Sequence, residues 1–151
     1  MGHIQVSRLI PASAGDLFRH LTEVENLPQW VSGSMEIDFP NALPILREQS
    51  EFEINFHRFG RITPAKFRVD ELKPRERFAY RQVSGFFKSW VHTQVLVVHD
   101  AKTTVLTDLV DYQLPYGILG ALVDDVFANK EIERLLKERL LRIQERFEGP
   151  G

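Results

Sequence analysis

The stretch KSWVHTQVLVV, residues 88–98, reads as a β-strand with two different faces. Neighbouring residues of a strand point to opposite sides of a sheet. One face therefore carries Trp90, His92 and Gln94, and the other carries valines and a threonine. The bulk of Trp90 predicts that the first face points inward. Polar groups buried on that face need a partner, so the stretch predicts a site that meets a ligand or that pairs internally.

Residues on either side of this stretch repeat the same period-two pattern. A first strand is predicted over residues 3–11, and the later ones are separated by Pro, Gly, Asn and Asp at short intervals. The later strands cover residues 34–39, 50–59, 61–72, 76–85, 88–98 and 103–114. Strands joined by such short turns predict an antiparallel meander.

Helical patterns lie between the first two strands and after the last one. Residues 13–24 predict a helix with Ser13 as its N-cap, and residues 25–31 predict a second short helix around Pro28. A long helix is predicted over residues 116–147. Its apolar residues form two stripes that differ in phase, so we expect a bend, bulge or break near residues 128–131. The first stripe contains Leu119, Leu122, Val123, Val126 and Phe127, and the second Ile132, Leu136, Leu140, Ile143 and Phe147.

The order of elements predicts an α+β fold in one domain, residues 1–151. A curved, seven-stranded antiparallel sheet with one apolar face needs a cover, which the long C-terminal helix supplies. Two short helices complete the arrangement. Because such a sheet and helix diverge at one end, we expect them to enclose a cavity.

Bulk composition excludes several classes of protein. The chain of 151 residues has a net charge of −2 and no cysteine, which argues against nucleic acid as a partner and excludes thiol catalysis. Neither a secretion signal nor a membrane-spanning run is visible, so we expect a cytoplasmic protein without stable membrane insertion. The histidine spacing predicts no metal site, and we expect no cofactor. A monomer or weak homodimer is expected.

Three segments resemble the helix-grip superfamily, which includes START lipid-binding domains, pollen-allergen-type proteins and polyketide cyclases (SRPBCC). The segments are IPASAGDLFRHLTEVENLPQW (10–30), FAYRQVSGFFKSWVHTQ (78–94) and DLVDYQLPYGILG (108–120). The last two are similar to a bacterial cyclase/dehydrase-like, ligand-binding branch. The matching residues are Phe78, Gln82, Gly85, Phe87, Trp90, His92, Asp108, Tyr112, Leu114, Pro115, Gly117, Leu119 and Gly120. Tyr80, Phe86 and Gln94 depart from that pattern, where Asp, Pro and His are expected. The resemblance implies a helix-grip fold that hosts binders, carriers and enzymes alike.

Alternation within each strand predicts which residues form the inner face of the sheet. Arg77 and Arg81 belong in water, so the alternate residues of that strand point inward. The inward residues of the neighbouring strands are assigned in the same way. Together with the start of the long helix, these residues form the predicted ligand-binding set. It comprises Phe52, Ile54, Phe56, Phe78, Tyr80, Gln82, Trp90, His92, Gln94, Asp108, Tyr112, Leu122, Val126 and Phe127.

His92 and Asp108 are the candidate catalytic pair within this set. A carboxylate beside an imidazole holds it in one tautomer, which leaves a donor or base. Two buried side chains that only hydrogen-bond to each other, without a catalytic role, would give the same sequence pattern. A role in orienting the polar end of a ligand requires only hydrogen-bond reach, and it is the interpretation that we prefer.

Three functions from different classes follow. The first is a binder or carrier of an apolar or amphipathic small molecule such as a lipid, polyketide or aromatic compound. The second is an enzyme of the cyclase, dehydratase or isomerase kind that uses His92 and Asp108 as general acid and base. The third is an interaction module with a filled core, whose convex sheet face or helix meets a partner.

Overall fold

The computed structural model of the protein describes residues 2–23, 26, 36–41, 45–58, 60–115 and 125–149. The described elements agree with the predicted ones to within a few residues. They are β1 (Gly2–Ile10), α1 (Ala14–Thr22), β2 (Glu36–Asp38), β3 (Glu51–Arg58), β4 (Arg61–Lys73), β5 (Arg77–Ser84), β6 (Ser89–Asp100), β7 (Thr103–Gln113) and α2 (Asp125–Glu148). The predicted short helix at residues 25–31, apart from Asn26, and the predicted helical start at 116–124 lie outside the described residues.

All seven strands form one antiparallel sheet in the order β1-β7-β6-β5-β4-β3-β2. The meander runs from β2 to β7, and β1 adds to β7, so the first and last strands are neighbours. Register shifts interrupt the β4–β5 pairing at Asp70 and Val83. Because an extra residue in one strand bends it and increases its twist, these bulges help to curve the sheet. The predicted α+β class with a curved, seven-stranded sheet is confirmed.

The helix α1 begins where the sequence predicts. Ser13 has extended backbone angles, and its hydroxyl accepts a hydrogen bond from the backbone N–H of Asp16 at 3.2 Å. This bond satisfies one of the free N–H groups at the helix start. The same helix buries Leu17 and Leu21 in the core.

The C-terminal helix α2 packs on the sheet with one stripe of side chains. Leu136, Leu140 and Ile143 are buried, and Ile132 and Phe147 pack against the core, as the second predicted stripe requires. The break or bulge that the sequence predicts as alternatives to a bend near residues 128–131 is absent, because one continuous α-helix runs through them. The described members of the first stripe, Val126 and Phe127, are 62% and 60% exposed. The stripe of α2 that packs on the core is therefore the second one.

The predicted parity of the sheet agrees with the burial in the structure. Alternate residues of β6 and β7 are buried, and the intervening ones are partly or fully exposed. The buried residues of these two strands are Trp90, His92, Gln94, Leu96, Thr104, Leu106, Asp108, Val110 and Tyr112. The core therefore lies between this face of the sheet and the helices, and it includes the polar side chains on which the functional question depends.

Candidate functional site

Two rows of paired residues cross the middle of the sheet. In one row Phe78 of β5 pairs with Gln94 of β6, which pairs with Asp108 of β7. In the next row Tyr80 pairs with His92. Directly opposite and diagonal residues on one face of an antiparallel pair lie close enough for their side chains to interact. The register therefore brings the polar side chains of three strands together.

Hydrogen bonds join these side chains into a chain that runs across the sheet. Nε2 of His92 lies 2.9 Å from Oδ1 of Asp108, and Nδ1 of His92 lies 2.9 Å from the hydroxyl of Tyr80. An ionised carboxylate only accepts, so the His92 proton sits on Nε2. The remaining ring nitrogen then accepts from Tyr80. The order of donation is thus Tyr80 to His92 to Asp108.

Arg139 of α2 completes the group from the opposite layer. Its Nη1 donates to Oδ2 of Asp108 at 2.7 Å, and its Nη2 donates to Oε1 of Gln94 at 2.7 Å. We call Tyr80, His92, Gln94, Asp108 and Arg139 the buried network. His92, Gln94 and Asp108 are 0% exposed and Arg139 is 1% exposed.

Arg139 is not among the residues predicted from the sequence, because a charged residue on a helix is usually typical of its solvated face. A signal was nevertheless present. Arg139 follows Leu136 by three residues and precedes Ile143 by four, so it falls inside the stripe that packs on the sheet. A basic residue within an apolar helical stripe indicates a buried counter-charge, here Asp108.

Burial and charge set the ionisation of the buried network. Burial lowers the pKa of His92 below its usual range, although the charge of Asp108 works in the opposite direction. For Asp108, burial alone would raise the pKa, but the charge of Arg139 and the contacts with His92 outweigh burial and hold it below the usual range. The stable state is a neutral imidazole between a neutral phenol and an Asp108–Arg139 ion pair.

This geometry changes the role that the sequence predicted for His92 and Asp108. Both ring nitrogens of His92 are engaged, and both oxygens of Asp108 accept hydrogen bonds. His92 therefore has no free ring nitrogen, and the hydroxyl of Tyr80 is the group through which it can exchange a proton with a ligand.

Aromatic rings line the sheet beside the buried network. The ring of Phe52 stacks on that of Phe67 with centroids 5.4 Å apart, and Phe67 meets Tyr80 edge-on at 5.6 Å. Phe78 lies 5.7 Å from Tyr80. We call Phe52, Phe67, Phe78 and the ring of Tyr80 the aromatic wall. Ile54, also predicted to line the site, is buried in the same core cluster.

Gln82 belongs to a different arrangement. Its Nε2 donates to the backbone oxygen of Phe87 at 2.6 Å, and its Oε1 accepts from the Phe87 N–H at 3.3 Å. The amide thereby clamps the turn between β5 and β6. The clamped Phe87 packs on Trp90 with ring centroids 4.7 Å apart and lies 6.0 Å from Tyr112. This second aromatic group contains two of the predicted site residues.

The remaining predicted residues divide into three cases. Phe56 is partly buried and packs against the core. Val126 and Phe127, near the start of α2, are exposed and are not part of the buried core. Leu122 lies outside the described residues. Among the described residues there is no group of three or more His, Asp or Glu side chains placed to hold a metal ion, and no described helix is long and apolar enough to cross a membrane.

A long C-terminal helix held against a curved, seven-stranded antiparallel sheet defines the helix-grip, or START-like, class of proteins. Residues 1–148 match the family described as polyketide cyclase / dehydrase and lipid transport. The chain belongs to this family, within the SRPBCC superfamily that the sequence analysis identified.

Solved structures with the same fold come from distant relatives. A Chromobacterium violaceum protein has a TM-score of 0.73 at 15% identity, over 97% of this chain and 96% of that one. A START superfamily protein from Mycobacterium smegmatis has a TM-score of 0.72 at 14% identity, over 97% of each chain. The Zhui aromatase/cyclase from a Streptomyces species has a TM-score of 0.67 at 19% identity, over 97% and 93%. No curated protein matches this chain significantly in sequence.

Proposed function

We propose that the protein binds or carries an apolar or amphipathic small molecule between the sheet and α2. The apolar part of the molecule lies against the aromatic wall, and its polar end meets the buried network. The observation that carries this proposal is the burial of five connected polar side chains directly beside a set of aromatic rings. Membership of the family suggests ligand binding or cyclase activity in general.

The energetics of the buried network support this interpretation. A buried ion pair usually stabilises a fold no more than apolar side chains of the same volume would, because both charges lose their hydration. The Asp108–Arg139 pair therefore has a weak rationale in stability alone. A mostly apolar lining with a few fixed polar groups is, in contrast, the usual composition of a small-molecule site.

The first test is native mass spectrometry of the protein as purified, followed by solvent extraction. We expect an added mass that denaturation releases, and a released compound with an extended apolar skeleton. A protein that carries no added mass and that also fails to bind an uncharged hydrophobic dye, N-phenylnaphthylamine, would contradict the proposal.

A pair of tryptophan substitutions tests where such a dye binds. Ile54 is buried on the inner face, whereas Val97 is 57% exposed on the opposite face of the same sheet. Ile54→Trp fills inner space and should weaken dye binding at least tenfold, while Val97→Trp should leave it unchanged. Circular dichroism and thermal unfolding check that both variants fold. Equal dye affinity in the two variants would place the dye outside the core.

A second candidate function is an enzyme of the cyclase, dehydratase or isomerase kind. The observation that favours it is the hydrogen-bonded order Tyr80, His92, Asp108, in which a carboxylate orients an imidazole that faces a phenol. Such an arrangement can take a proton from Tyr80 and return it. Tyr80 would then be the residue that touches the substrate, and His92 and Asp108 would act through it.

Exchange of protons next to a carbonyl group tests this candidate, because these three reaction types share that step. The protein is incubated with a β-ketoacyl thioester in D₂O, and deuterium uptake is followed by NMR. We expect uptake faster than in buffer, lost in Tyr80→Phe and reduced in Asp108→Asn while the thioester still binds. Uptake at the buffer rate with the thioester bound would remove the enzyme candidate and leave the carrier.

A further inference from the structure

The amide of Gln94 has only one possible orientation. A guanidinium group offers donors and no acceptor, so Gln94 must present its oxygen to Nη2 of Arg139. Its Nε2 group is then turned away, and within the described part of the chain it has no hydrogen-bond partner. The side chain is fully buried, so both N–H bonds of this group lack an acceptor where water is scarce.

Arg139 shows the same imbalance. Its Nη1 and Nη2 are bonded to Asp108 and Gln94, but its buried Nε has no partner among the described residues. Every acceptor atom of Asp108, His92 and Gln94 meanwhile has a hydrogen-bond partner, since Asp108 accepts at both oxygens, His92 at Nδ1 and Gln94 at Oε1. What Gln94 and Arg139 leave unsatisfied is therefore a set of donors. Buried donors without partners are costly, and a group that relieves them must accept.

The charge balance decides what kind of acceptor fits. The carboxylate of Asp108 and the guanidinium of Arg139 cancel, and burial keeps His92 neutral by lowering its pKa. An anionic ligand would place an uncompensated negative charge in the interior, where its lost hydration is not replaced. An uncharged oxygen meets the donors without this cost.

We infer that the ligand carries an uncharged carbonyl oxygen that accepts hydrogen bonds from Nε2 of Gln94 and Nε of Arg139. The inference rests on the proposed function and narrows its ligand to apolar ketones, esters or lactones. Gln94 is the cross-strand partner of Phe78, whose ring belongs to the aromatic wall. The carbonyl therefore lies where the apolar lining meets the buried network.

Matched ligands test this inference on the whole protein after removal of bound lipid. The set is fluorene, fluorenone and fluorene carboxylate, with undecane, undecanone and undecanoate as linear equivalents. Affinities are measured by displacement of N-phenylnaphthylamine. Each added hydrogen bond contributes roughly fivefold to tenfold in affinity, so a ketone should bind at least about fivefold tighter than its hydrocarbon. The carboxylates should bind more weakly than the ketones.

Substitutions assign the effect to Gln94. Gln94→Met keeps the size of the side chain and removes its donors, and Gln94→Glu removes the donors but keeps an oxygen for Arg139. Both should reduce the preference for ketones, because only the Arg139 donor remains. Gln144→Met, on the part of α2 where Gln144 bonds to Arg8, is the control and should keep it. The carbonyl stretch of bound fluorenone should lie at lower wavenumber in the wild type than in Gln94→Met.

The outcomes separate this inference from the proposed function. If the protein binds neither the dye nor any ligand of the set, both the proposed function and the inference are overturned. If the dye binds but ketones bind no tighter than hydrocarbons, or do not bind at all, the inference alone is overturned. Tighter binding of the carboxylates than of the ketones overturns it as well. A ketone preference that is undiminished in both Gln94 variants also overturns it.

Discussion

Arg139 of α2 and Asp108 of β7 form an ion pair across the core, with Nη1 of the arginine 2.7 Å from Oδ2 of the aspartate. Both side chains are buried, so the pair links the last helix to the sheet without access to solvent. Every other member of the buried network reaches this pair directly or through His92. The pair is therefore the point at which helix position, sheet register and ionisation of the site are coupled.

Removal of Arg139 should destabilise the protein strongly. Arg139→Met leaves Asp108 buried without its counter-charge, and loss of one partner of a buried pair typically costs about 3–5 kcal/mol. Urea unfolding followed by circular dichroism measures the loss. The control is Arg134→Met on the same helix, because Arg134 makes only exposed ion pairs with Glu131 and Glu138 and should cost far less. Equal losses in the two variants would show that the Asp108–Arg139 pair is not energetically distinct.

The neutral state of His92 predicts that stability depends on pH. Its pKa is lowered in the folded protein from 6.5, chiefly by burial, so the unfolded chain binds the proton more readily. Stability is therefore complete above about pH 6.5 and falls below it, by up to about 1.4 kcal/mol per pH unit from this group. Asp108 acts in the same direction only below its own unfolded pKa of 3.8.

Urea unfolding between about pH 5 and pH 7.5 measures this dependence. The comparison is between the wild type and His92→Gln, because the other histidines contribute equally to both. We expect the wild type to lose more stability with falling pH than the variant does. Parallel pH profiles would indicate that His92 is not held neutral in the fold.

Asp108 fixes the tautomer of His92, and Tyr80 donates to the other ring nitrogen; NMR can observe this arrangement directly. The ¹⁵N resonances of the imidazole should identify Nε2 as protonated and Nδ1 as a hydrogen-bond acceptor. Tyr80→Phe removes the hydroxyl and keeps the ring, so the Nδ1 resonance should shift and the protein should lose about 1 kcal/mol of stability. A wild-type spectrum with the proton on Nδ1 would contradict the order of donation described above.

The sequence predicts the sheet and the inner face well because both follow from a period of two. Parity alone places four polar side chains on one face, and the pairing register of β5, β6 and β7 brings them together. They are Tyr80, His92, Gln94 and Asp108. The sequence does not predict a role for Arg139, because a charged side chain is usually exposed. Its partner lies 31 residues away in the chain, and only the packing of α2 on the sheet shows that it is buried.

Two further features of the site do not follow from periodicity. Val126 and Phe127 are apolar, but a hydrophobic pattern does not identify the surface that covers it, and the structure leaves them exposed. Gln82 has the predicted parity, yet its amide is directed by the backbone of Phe87. That contact depends on the backbone conformation of the turn. Glycine and serine in the sequence predict a turn there, but they do not predict its conformation.

The departures from the related sequence pattern explain the charge balance of the buried network. Tyr80 and Gln94 stand where that pattern has Asp and His, and the structure includes both of them in the buried network. Each is uncharged. The only charges in the network are consequently those of Asp108 and Arg139, and this balance is what favours an uncharged ligand.

The clamp between Gln82 and Phe87 predicts how the turn from β5 to β6 responds to substitution. Gln82→Met removes both hydrogen bonds, so the Phe87 amide should exchange with solvent faster and the packing of Phe87 on Trp90 should loosen. Gln82→Glu keeps an acceptor for the Phe87 N–H and should retain most of the protection. Hydrogen exchange measured by NMR distinguishes the two variants. If Phe87 exchanges at the wild-type rate in Gln82→Met, the turn is held by the aromatic contacts rather than by the amide.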